Sequence, residues 1–309
     1  MRVLAVIELG VTNCAISLAS AEGDGVVIHK KEVFETPKED PQKAIQGFLS
    51  RLERLLQCNP QWRLQAIGIS CGGPLDSRKG LILSPPNLPA WDRIDCITPF
   101  RAKFGVPVGL QNDADACALA EWNWGAGKGT ENMIFLTFRT GMGAGLILDG
   151  KLYLGAGNMA GEVGHIRMEE DGPYGYGKYG SFEGFCSGGG IADMGRSMAE
   201  AAIDQGNPPL FCKDKESLKT VTAKSIADAL DAGDHLAREI YLKTAYYLGR
   251  GIALLIDILN PEMIVIGSIY GRQRVLFEAE IRKVIEKEAL SLSARACRVV
   301  PAGLGELVG

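Results

Sequence analysis

Apolar residues follow two spacings along this chain, and each spacing predicts a different element. Residues 3–7 are a continuous apolar run rich in β-branched side chains, and a second apolar run at 15–19 follows turn-forming residues at 10–13. This order predicts a strand, a tight turn and a second strand. By contrast, residues 41–57 carry apolar side chains at helical spacing behind Asp40, a plausible N-cap, and predict an amphipathic helix with proline at its first position.

The strand–turn–strand pattern returns in the middle of the chain. An apolar run at 133–136 precedes a glycine-rich turn at 140–145. A further run at 146–148 leads to Asp149-Gly150, a dipeptide typical of two-residue hairpin turns. We interpret the two segments as a duplicated hairpin unit that opens each half of the chain. Two such hairpins could hold one polyphosphate through backbone N–H groups, whereas two unrelated surface hairpins would show the same pattern.

Predicted strands and helices alternate along the rest of the chain, which is typical of an α/β architecture. A proline-rich stretch at 84–89 predicts a stiff, extended loop. We place the domain boundary at residue 112, with an N-terminal α/β domain over 1–112 and a larger C-terminal α/β domain over 113–309. Further strands are predicted at 64–70, 106–110 and 263–266, and further helices at 97–104, 114–124, 191–205, 225–232, 235–259 and 274–290.

Composition and charge narrow the classes of function. Hydrophobic residues make up 46% of the chain and charged residues 23%, which suits a folded protein with a sizeable core. The net charge of −4, without a dense Lys/Arg run, argues against a nucleic-acid partner. Eight cysteines without C-x-x-C spacing indicate a reducing cytoplasm. The apolar stretch 245–259 is interrupted by Arg250 and Asp257, so we expect no membrane span.

Three groups of polar residues are candidates for chemistry. Asp113 precedes a predicted helix, where it could accept a hydroxyl proton as a general base or simply cap that helix. Glu162 and His165 lie three residues apart, a spacing that suits either a grip on a polyol or a purely structural pair. Glu8 lies beside the first turn and could hold a hydrated Mg²⁺ or be an edge charge on a strand.

Six short motifs follow one another along nearly the whole chain. They are Glu8-Leu9-Gly10-Val11-Thr12-Asn13, Asn87-Leu88-Pro89 with Trp91, the segment from Asn112-Asp113 to Glu121, the turn from Thr140 to Gly145, Gly161-Glu162-Val163-Gly164-His165, and Asn260-Pro261-Glu262 with Ile264-Val265-Ile266-Gly267. In this order and spacing they resemble the ROK family (repressor, open reading frame, kinase) of the actin-like ATPase superfamily.

The resemblance implies a two-domain, actin-like ATPase (ribonuclease H-like) fold with a cleft between the domains. It also implies ATP-dependent phosphorylation of a hexose or hexose derivative at the 6-hydroxyl, by a magnesium-dependent, cytoplasmic homodimer. Asp113 would be the general base. The sugar would be held by Gly73, Asn87, Asn112, Glu162, His165 and Glu183. The nucleotide would contact Gly10, Thr12, Asn13, Thr140, Gly141, Ser187, Gly188, Gly267 and Ser268, with Mg²⁺ held by Glu8 through water.

The chain departs most from the family at a loop that binds zinc in the relatives. The family pattern is Cys-x-Cys-Gly-x-x-Gly-Cys-x-Glu, whereas residues 174–183 keep the glycines and Glu183 but none of the three cysteines. A tetrahedral structural zinc site needs such ligands. We therefore predict no structural zinc, and aromatic packing by Tyr174, Tyr176 and Phe182 in its place.

Three other departures concern Glu8, Arg139 and the end of the chain. Glu8 stands where the family has aspartate, and its arm is one methylene longer. Arg139 stands where a small residue is more common, and could contact phosphate, a partner or solvent. Relatives continue into a closing helix beyond the point matching Gly309, and we expect the end of the chain to pack back on the N-terminal domain.

The family also contains sugar-responsive repressors, so the alternative function is a non-catalytic sugar sensor. Repressors carry a helix-turn-helix region before the first hairpin, which here begins at residue 3, and we therefore expect no DNA-binding domain. The glutamate at position 8 favours the sensor, and the intact Asp113 favours the kinase. A chaperone of the actin-like class is a third possibility, but no peptide-binding domain supports it.

Overall fold

The computed structural model describes residues 1–23, 25–85 and 87–305. The chain folds as two compact units. Of the described residues, the first unit comprises Met1–Ala120 with Leu154–Ala160, and the second comprises Glu121–Tyr153 with residues 161–305. The domain boundary expected after residue 112 stays a prediction about how the chain folds.

The first unit is built on a mixed five-stranded sheet. Its described residues form strands β1 (Arg2–Leu9), β2 (Asn13–Glu22), β3 (Gly25–Glu35), β4 (Arg63–Cys71), β5 (Leu75–Asp76), β6 (Leu81–Leu83), β7 (Asp92–Asp95) and β8 (Val108–Asn112), and helices α1 (Pro41–Gln57) and α2 (Thr98–Phe104). Helix α3 (Asp113–Trp124) begins in the first unit, and its last turn from Glu121 belongs to the second. The sheet has the order β3-β2-β1-β4-β8. Strands β1 to β3 are antiparallel neighbours, whereas β4 and β8 add parallel to β1. Strands β5, β6 and β7 form a separate three-stranded sheet.

Helix α1 shows how the apolar pattern becomes structure. It begins and ends at the predicted residues, and the Asp40 carboxylate accepts a hydrogen bond of 2.9 Å from the N–H of Lys43. This bond satisfies one of the amide groups that a helix leaves unpaired at its start. The apolar stripe of α1 then packs in one core with β1, β2 and β4; its buried members are Ala44, Ile45, Phe48, Leu49, Leu52 and Leu55.

The second unit repeats the same sheet. Its described residues form strands β9 (Met133–Phe138), β10 (Met142–Leu148), β11 (Lys151–Leu152), β12 (Tyr174–Gly175), β13 (Lys178–Tyr179), β14 (Met263–Ile266) and β15 (Arg298–Pro301). The helices are α4 (Phe182–Phe185), α5 (Gly188–Asp204), α6 (Ala223–Asp231), α7 (His235–Leu259), α8 (Ile269–Arg272), α9 (Arg274–Glu288) and α10 (Ser291–Ala296), with 3₁₀ turns at Val163–His165 and Lys215–Thr220.

The two five-stranded sheets have equivalent topologies. The second sheet has the order β11-β10-β9-β14-β15. As in the first unit, three strands are antiparallel neighbours and two add in parallel. Asp149 and Gly150 form the predicted two-residue turn between β10 and β11, both with left-handed backbones (φ 51° and 64°). The interpretation of the two hairpins as a duplicated unit is therefore confirmed, and so is the predicted α/β class.

The segment between β6 and β7 differs from the predicted extended loop. The N–H of Leu88 donates to the carbonyl of Pro85 (2.8 Å), and the N–H of Trp91 donates to the carbonyl of Leu88 (3.0 Å). The chain therefore turns twice, because the buried side chains of Leu88 and Trp91 point into the core. The indole of Trp91 also donates to the carbonyl of Lys38 (3.1 Å). Pro86 lies outside the described residues.

A buried carboxylate fixes the last described part of the chain. Glu121 is fully buried and accepts N–H groups from Ala126 (2.7 Å), Gly303 (3.0 Å) and Leu304 (2.9 Å). Because a buried charge is tolerated only when hydrogen-bonded, these bonds hold the segment after β15 against the last turn of α3, within the second unit. The expected packing of the chain's end concerns residues 306–309, which lie outside the described part.

The longest helix, α7, is mostly apolar but is interrupted by Arg250 and Asp257. Among the helices of the described residues, none has both the length and the apolar content needed to cross a membrane.

Candidate functional site

Three candidate residues of the first unit lie where parallel strands end. Strands β1, β4 and β8 are parallel neighbours, with Leu9 beside Cys71 and Cys71 beside Asn112. Asp113 follows β8 directly, and Gly73 follows β4 by two residues. In open α/β sheets, ligands bind outside the carboxyl ends of the strands. The sheet therefore brings Gly73, Asn112 and Asp113 to the edge that most often forms a site.

The hydrogen bonds at the start of α3 show which side chain occupies the capping position beside Asp113. The helix begins at Asp113, so Asn112 occupies the N-cap position. The side-chain oxygen of Asn112 accepts the N–H of Ala114 at 2.9 Å, as an N-cap does, and one oxygen of Asp113 accepts the same N–H at 2.8 Å. Asp113 is exposed to solvent. Asn112 thus occupies the N-cap position, and the Asp113 carboxylate lies in the first turn, where the helix dipole stabilises its charge.

The carboxylate of Glu8 already has a cationic partner. Lys31 on β3 reaches across β2 and places its Nζ 2.9 Å from Oε1 of Glu8. Because Lys31 supplies one positive charge at this carboxylate, a metal ion would have to compete with the ammonium group. The assignment of Mg²⁺ to Glu8 stays a prediction, and this ion pair opposes it.

The turn between β1 and β2 presents the first set of predicted nucleotide contacts. Thr36 fixes it from the side, with its hydroxyl donating to the carbonyl of Gly10 (2.6 Å) and its N–H donating to the carbonyl of Thr12 (3.0 Å). A Cβ on Gly10 would lie 2.5 Å from the carbonyl oxygen of Asn13, so the turn itself requires glycine there. Thr12 and Asn13 are exposed at the tip.

The second unit brings its predicted nucleotide contacts together around the turn between β9 and β10. The N–H of Gly188 donates to the carbonyl of Arg139 (2.6 Å), and the N–H of Gly189 donates to the carbonyl of Thr140 (3.3 Å). The start of α5 is thereby fixed on this turn, with Ser187 as its N-cap. Gly267 joins the group through a bond to the carbonyl of Leu136 (3.0 Å), and exposed Ser268 follows it.

Close packing alone explains several of the glycines in this unit. A Cβ on Gly141 would lie 2.8 Å from Oε2 of Glu183, and one on Gly164 would lie 2.2 Å from the carbonyl oxygen of Met142. Gly161 has a φ of +91°, and its Cβ would lie 1.9 Å from the carbonyl oxygen of Ala144. The turn from Gly161 to His165 is therefore pressed against β10, which places Glu162 and His165 beside Glu183.

Glu162, His165 and Glu183 form one cluster of polar groups in the second unit. Glu183 accepts the N–H of Met142 at 3.0 Å. Burial raises the pKa of the Glu183 carboxyl, and the charge of Glu162 raises it further, whereas the backbone hydrogen bonds from Met142 and Tyr176 and the charge of His165 lower it. His165 is exposed at the end of the 3₁₀ turn. Two carboxylates and an imidazole in this arrangement can bind several hydroxyl groups of a polyol.

Tyr176 belongs to this cluster, although the sequence indicated only a packing role for it. Its hydroxyl donates to Oε2 of Glu162 at 2.5 Å. Its ring meets the ring of His165 edge-on, with centroids 5.0 Å apart. The Tyr-Gly pair at 176–177 is only a weak signal of the hairpin turn, in which glycine suits the second position of a type I′ turn, and it does not indicate the contacts with Glu162 and His165.

The segment without the zinc-binding cysteines folds as a β-hairpin. Strands β12 and β13 pair antiparallel about Tyr176 and Gly177, which have φ of 54° and 79°. Tyr174 and Tyr179 pack edge-on across the strands, with centroids 5.3 Å apart, while Phe182 is buried beneath. Among the described residues, no three His, Cys, Asp or Glu side chains are grouped as a metal site would require. The zinc content of the protein stays a prediction.

Asn87, the remaining predicted sugar contact, is exposed in the loop between β6 and β7. Arg139 is exposed as well, and the group by which it fixes α5 is its backbone carbonyl.

Two units, each with an equivalent mixed sheet and a glycine turn between its first two strands, define a duplicated ribonuclease H-like protein of the actin-like ATPase class. The sequence model of the ROK family matches residues 4–309, so the chain belongs to this family.

Both branches of the family occur among the relatives. A glucokinase from Halalkalibacterium halodurans is 30% identical over 98% of this chain and 91% of its own length. A xylose repressor from Caldicellulosiruptor bescii is also 30% identical, over 92% of this chain and 70% of its own. The crystal structure of a ROK hexokinase from Thermus thermophilus matches with a TM-score of 0.75 at 27% identity, covering 99% of this chain and 94% of the other. The family and the fold are thus established, while the choice between enzyme and regulator rests on the site.

Proposed function

We propose that this protein is an ATP-dependent sugar kinase that phosphorylates a hexose or hexose derivative at its 6-hydroxyl. The observation that carries the proposal is the position of Asp113: it is exposed, it follows a parallel strand directly, and Asn112 meets the capping need of the helix. The similarity to a glucokinase over almost the whole chain supports the same activity.

Asp113 acts as the general base in this proposal. As the oxygen of the sugar hydroxyl attacks the γ-phosphorus of ATP, its proton passes to the Asp113 carboxylate, and ADP leaves with the electrons of the broken P–O bond. The N-terminal end of α3 stabilises the carboxylate in its charged, proton-accepting form. Catalysis then consists mainly of positioning and charge stabilisation.

The polar cluster of the second unit supplies three of the proposed sugar contacts. Glu162 and Glu183 accept hydrogen bonds from sugar hydroxyl groups, and the imidazole of His165 offers a further hydrogen-bonding atom. The other proposed contacts are Gly73, Asn87 and the side-chain NH₂ group of Asn112. The side-chain oxygen of Asn112 already accepts the N–H of Ala114.

The predicted nucleotide contacts are on the glycine turn of each unit and at the end of β14. The proposed contacts are Gly10, Thr12, Asn13, Thr140, Gly141, Ser187, Gly188, Gly267 and Ser268. When bound, Mg²⁺ would neutralise phosphate charge. Because Lys31 occupies the Glu8 carboxylate, we assign Glu8 no step in the reaction.

A coupled assay of ADP formation over a panel of hexoses tests the proposal. The panel contains glucose, mannose, fructose, allose and an N-acetylated hexosamine. We expect sugar-dependent ADP formation with at least one of them, and a loss of about 10²- to 10⁴-fold in kcat for Asp113→Asn. Asp92→Asn, at an exposed carboxylate on β7, is the matched control and should keep full activity. An Asp113→Asn variant as active as the wild type would remove Asp113 from the base role.

A sugar sensor without catalysis is the second candidate. Two observations favour it: the similarity to a xylose repressor, and the ion pair between Lys31 and the Glu8 carboxylate that was expected to hold Mg²⁺. A sensor would bind a sugar from the panel in calorimetry yet form no ADP, and Lys31→Ala would leave it inactive.

A further inference from the structure

Three of the residues proposed to hold the sugar contact the same tyrosine. The hydroxyl of Tyr176 donates to Glu162 at 2.5 Å, and its ring packs edge-on against His165. The backbone N–H of Tyr176 donates to the carboxylate of Glu183. One residue at the tip of a hairpin therefore touches every member of the polar cluster.

The two carboxylates in this cluster oppose each other. The charge of Glu162 disfavours the charged form of Glu183, which burial already disfavours. Tyr176 supplies a donor to each of them, its O–H to Glu162 and its N–H to Glu183. Hydrogen bonds to an ionised carboxylate are among the stronger ones in proteins. Tyr176 thus offsets the repulsion that would otherwise separate Glu162 from Glu183.

The hairpin that carries Tyr176 is held independently of the cluster's side chains. The Nζ of Lys178 donates to the carbonyl of His165 (2.8 Å), and Arg167 donates to the carbonyl of Tyr179 (2.9 Å). The left-handed backbone of Tyr176 is costly for a non-glycine residue and persists where the surroundings impose it. The side chain is therefore held in place before any ligand arrives.

We propose that Tyr176 is a positioning residue that sets the orientation of Glu162 and His165 for the sugar. By occupying Oε2 of Glu162, the phenol leaves Oε1 to accept a sugar hydroxyl. The hairpin thus organises the cluster with hydrogen bonds and ring contacts. This inference rests on the proposed sugar site, whether that site serves a kinase or a sensor.

The test compares Tyr176→Phe with Tyr174→Phe, the matched loss of a hydroxyl on the same hairpin. Tyr176→Phe keeps the ring and removes only the donor to Glu162. We expect the Kd and the KM for glucose to rise about 10-fold or more, with kcat within about threefold and the KM for ATP unchanged. Tyr174→Phe should match the wild type. Unchanged glucose binding in Tyr176→Phe, or equal weakening in both variants, would overturn the proposal.

The two readouts separate this inference from the proposed function. If the wild type binds glucose without phosphorylating it, the kinase proposal fails, and the Kd comparison still decides the role of Tyr176. If the wild type binds no glucose, the NMR signal of His165 tests whether Tyr176 orients this side chain. The chain has 3 histidines, so loss of one signal in His165→Gln assigns the signal of His165. Tyr176→Leu should then move that signal and Tyr174→Leu should not; an unmoved signal would overturn the proposal.

Discussion

At the scale of single residues, neighbouring polar groups divide their tasks in ways that residue types do not reveal. From its position in the sequence, Asp113 could equally be a general base or the cap of the following helix. The structure gives the cap to Asn112, because the helix begins one residue earlier than the apolar pattern indicated. The Lys31 partner of Glu8 could not be predicted, since 23 residues of chain and a whole strand separate the two.

Glu183 gives the cluster a testable dependence on pH. Burial raises the pKa of this carboxyl above its ordinary value of 4.5, so the folded protein holds the proton more tightly than the unfolded chain does. The protonated Glu183 carboxyl therefore stabilises the folded protein fully below pH 4.5, and this contribution is lost as the pH rises through the raised pKa of Glu183. Sugar binding uses the ionised Glu183 carboxylate as a hydrogen-bond acceptor. The affinity for sugar should therefore increase as the pH rises through the raised pKa of Glu183.

Calorimetry with glucose in buffers from about pH 5 to about pH 8 checks this behaviour. Wild-type affinity should rise as Glu183 loses its proton. Glu183→Gln should bind more weakly, with a flatter profile. A wild-type profile without any rise, or the same rise in Glu183→Gln, would assign the pH dependence to another group.

At the scale of elements, the apolar pattern located most helices and strands. Helix α1, helix α7 and strand β14 have the predicted bounds. Helix α5 begins earlier than predicted, at Gly188, because Ser187 caps it and the carbonyl of Arg139 holds its first turn. The β12–β13 hairpin was missed because a left-handed tyrosine has no clear sequence signature, and because its contacts lie in the distant 161–165 turn.

The close approach of that turn to β10 predicts a large cost for adding a single methyl group. Gly161→Ala would strain a left-handed backbone and push a Cβ into the carbonyl oxygen of Ala144, 1.9 Å away. We expect a loss of about 3 kcal/mol or more in the free energy of unfolding, since backbone cannot yield easily.

Gly150→Ala is the matched control, because Gly150 is also left-handed but nothing lies within 4 Å of its Cβ position. It should lose only about 1 kcal/mol. Urea denaturation of both variants measures the difference. Equal losses would mean that the 161–165 turn yields, and would weaken the account of how Glu162 and His165 are placed.

At the scale of the whole molecule, duplication was readable from sequence because two hairpins repeat one pattern of apolar runs and glycine turns. The shared strand order of the two sheets was not readable, since strand pairing depends on contacts far apart in the chain. Of the candidate site, the residue types and their order were available from the motifs, whereas Tyr176 became visible only through its contacts.

The expected homodimer has a candidate surface on the second unit. Leu254 and Ile258 lie one turn apart on α7, and Ile258 is 70% exposed. The N–H of Leu290 donates to Asp257 (2.9 Å), which brings exposed Leu290 beside them. Exposed apolar groups of this kind commonly mark interfaces.

Sedimentation at micromolar concentration tests whether this surface joins two copies. The wild type should sediment as a dimer, and Ile258→Asp as a monomer. Val275→Asp, at another exposed apolar position, should remain dimeric. A monomeric wild type would show that this surface does not join two copies. A dimeric Ile258→Asp variant would place the dimer interface elsewhere.

The most direct measurement of the central claim follows the phosphoryl group itself. The protein is incubated with ATP, Mg²⁺ and the panel hexoses, and the products are identified by ³¹P NMR. We predict a hexose 6-phosphate from the wild type, and at most about one-hundredth of that rate from Asp113→Asn, with sugar binding retained in the variant. A wild type that binds a hexose but forms no phosphate ester, or an Asp113→Asn variant that forms it at the wild-type rate, would contradict the account.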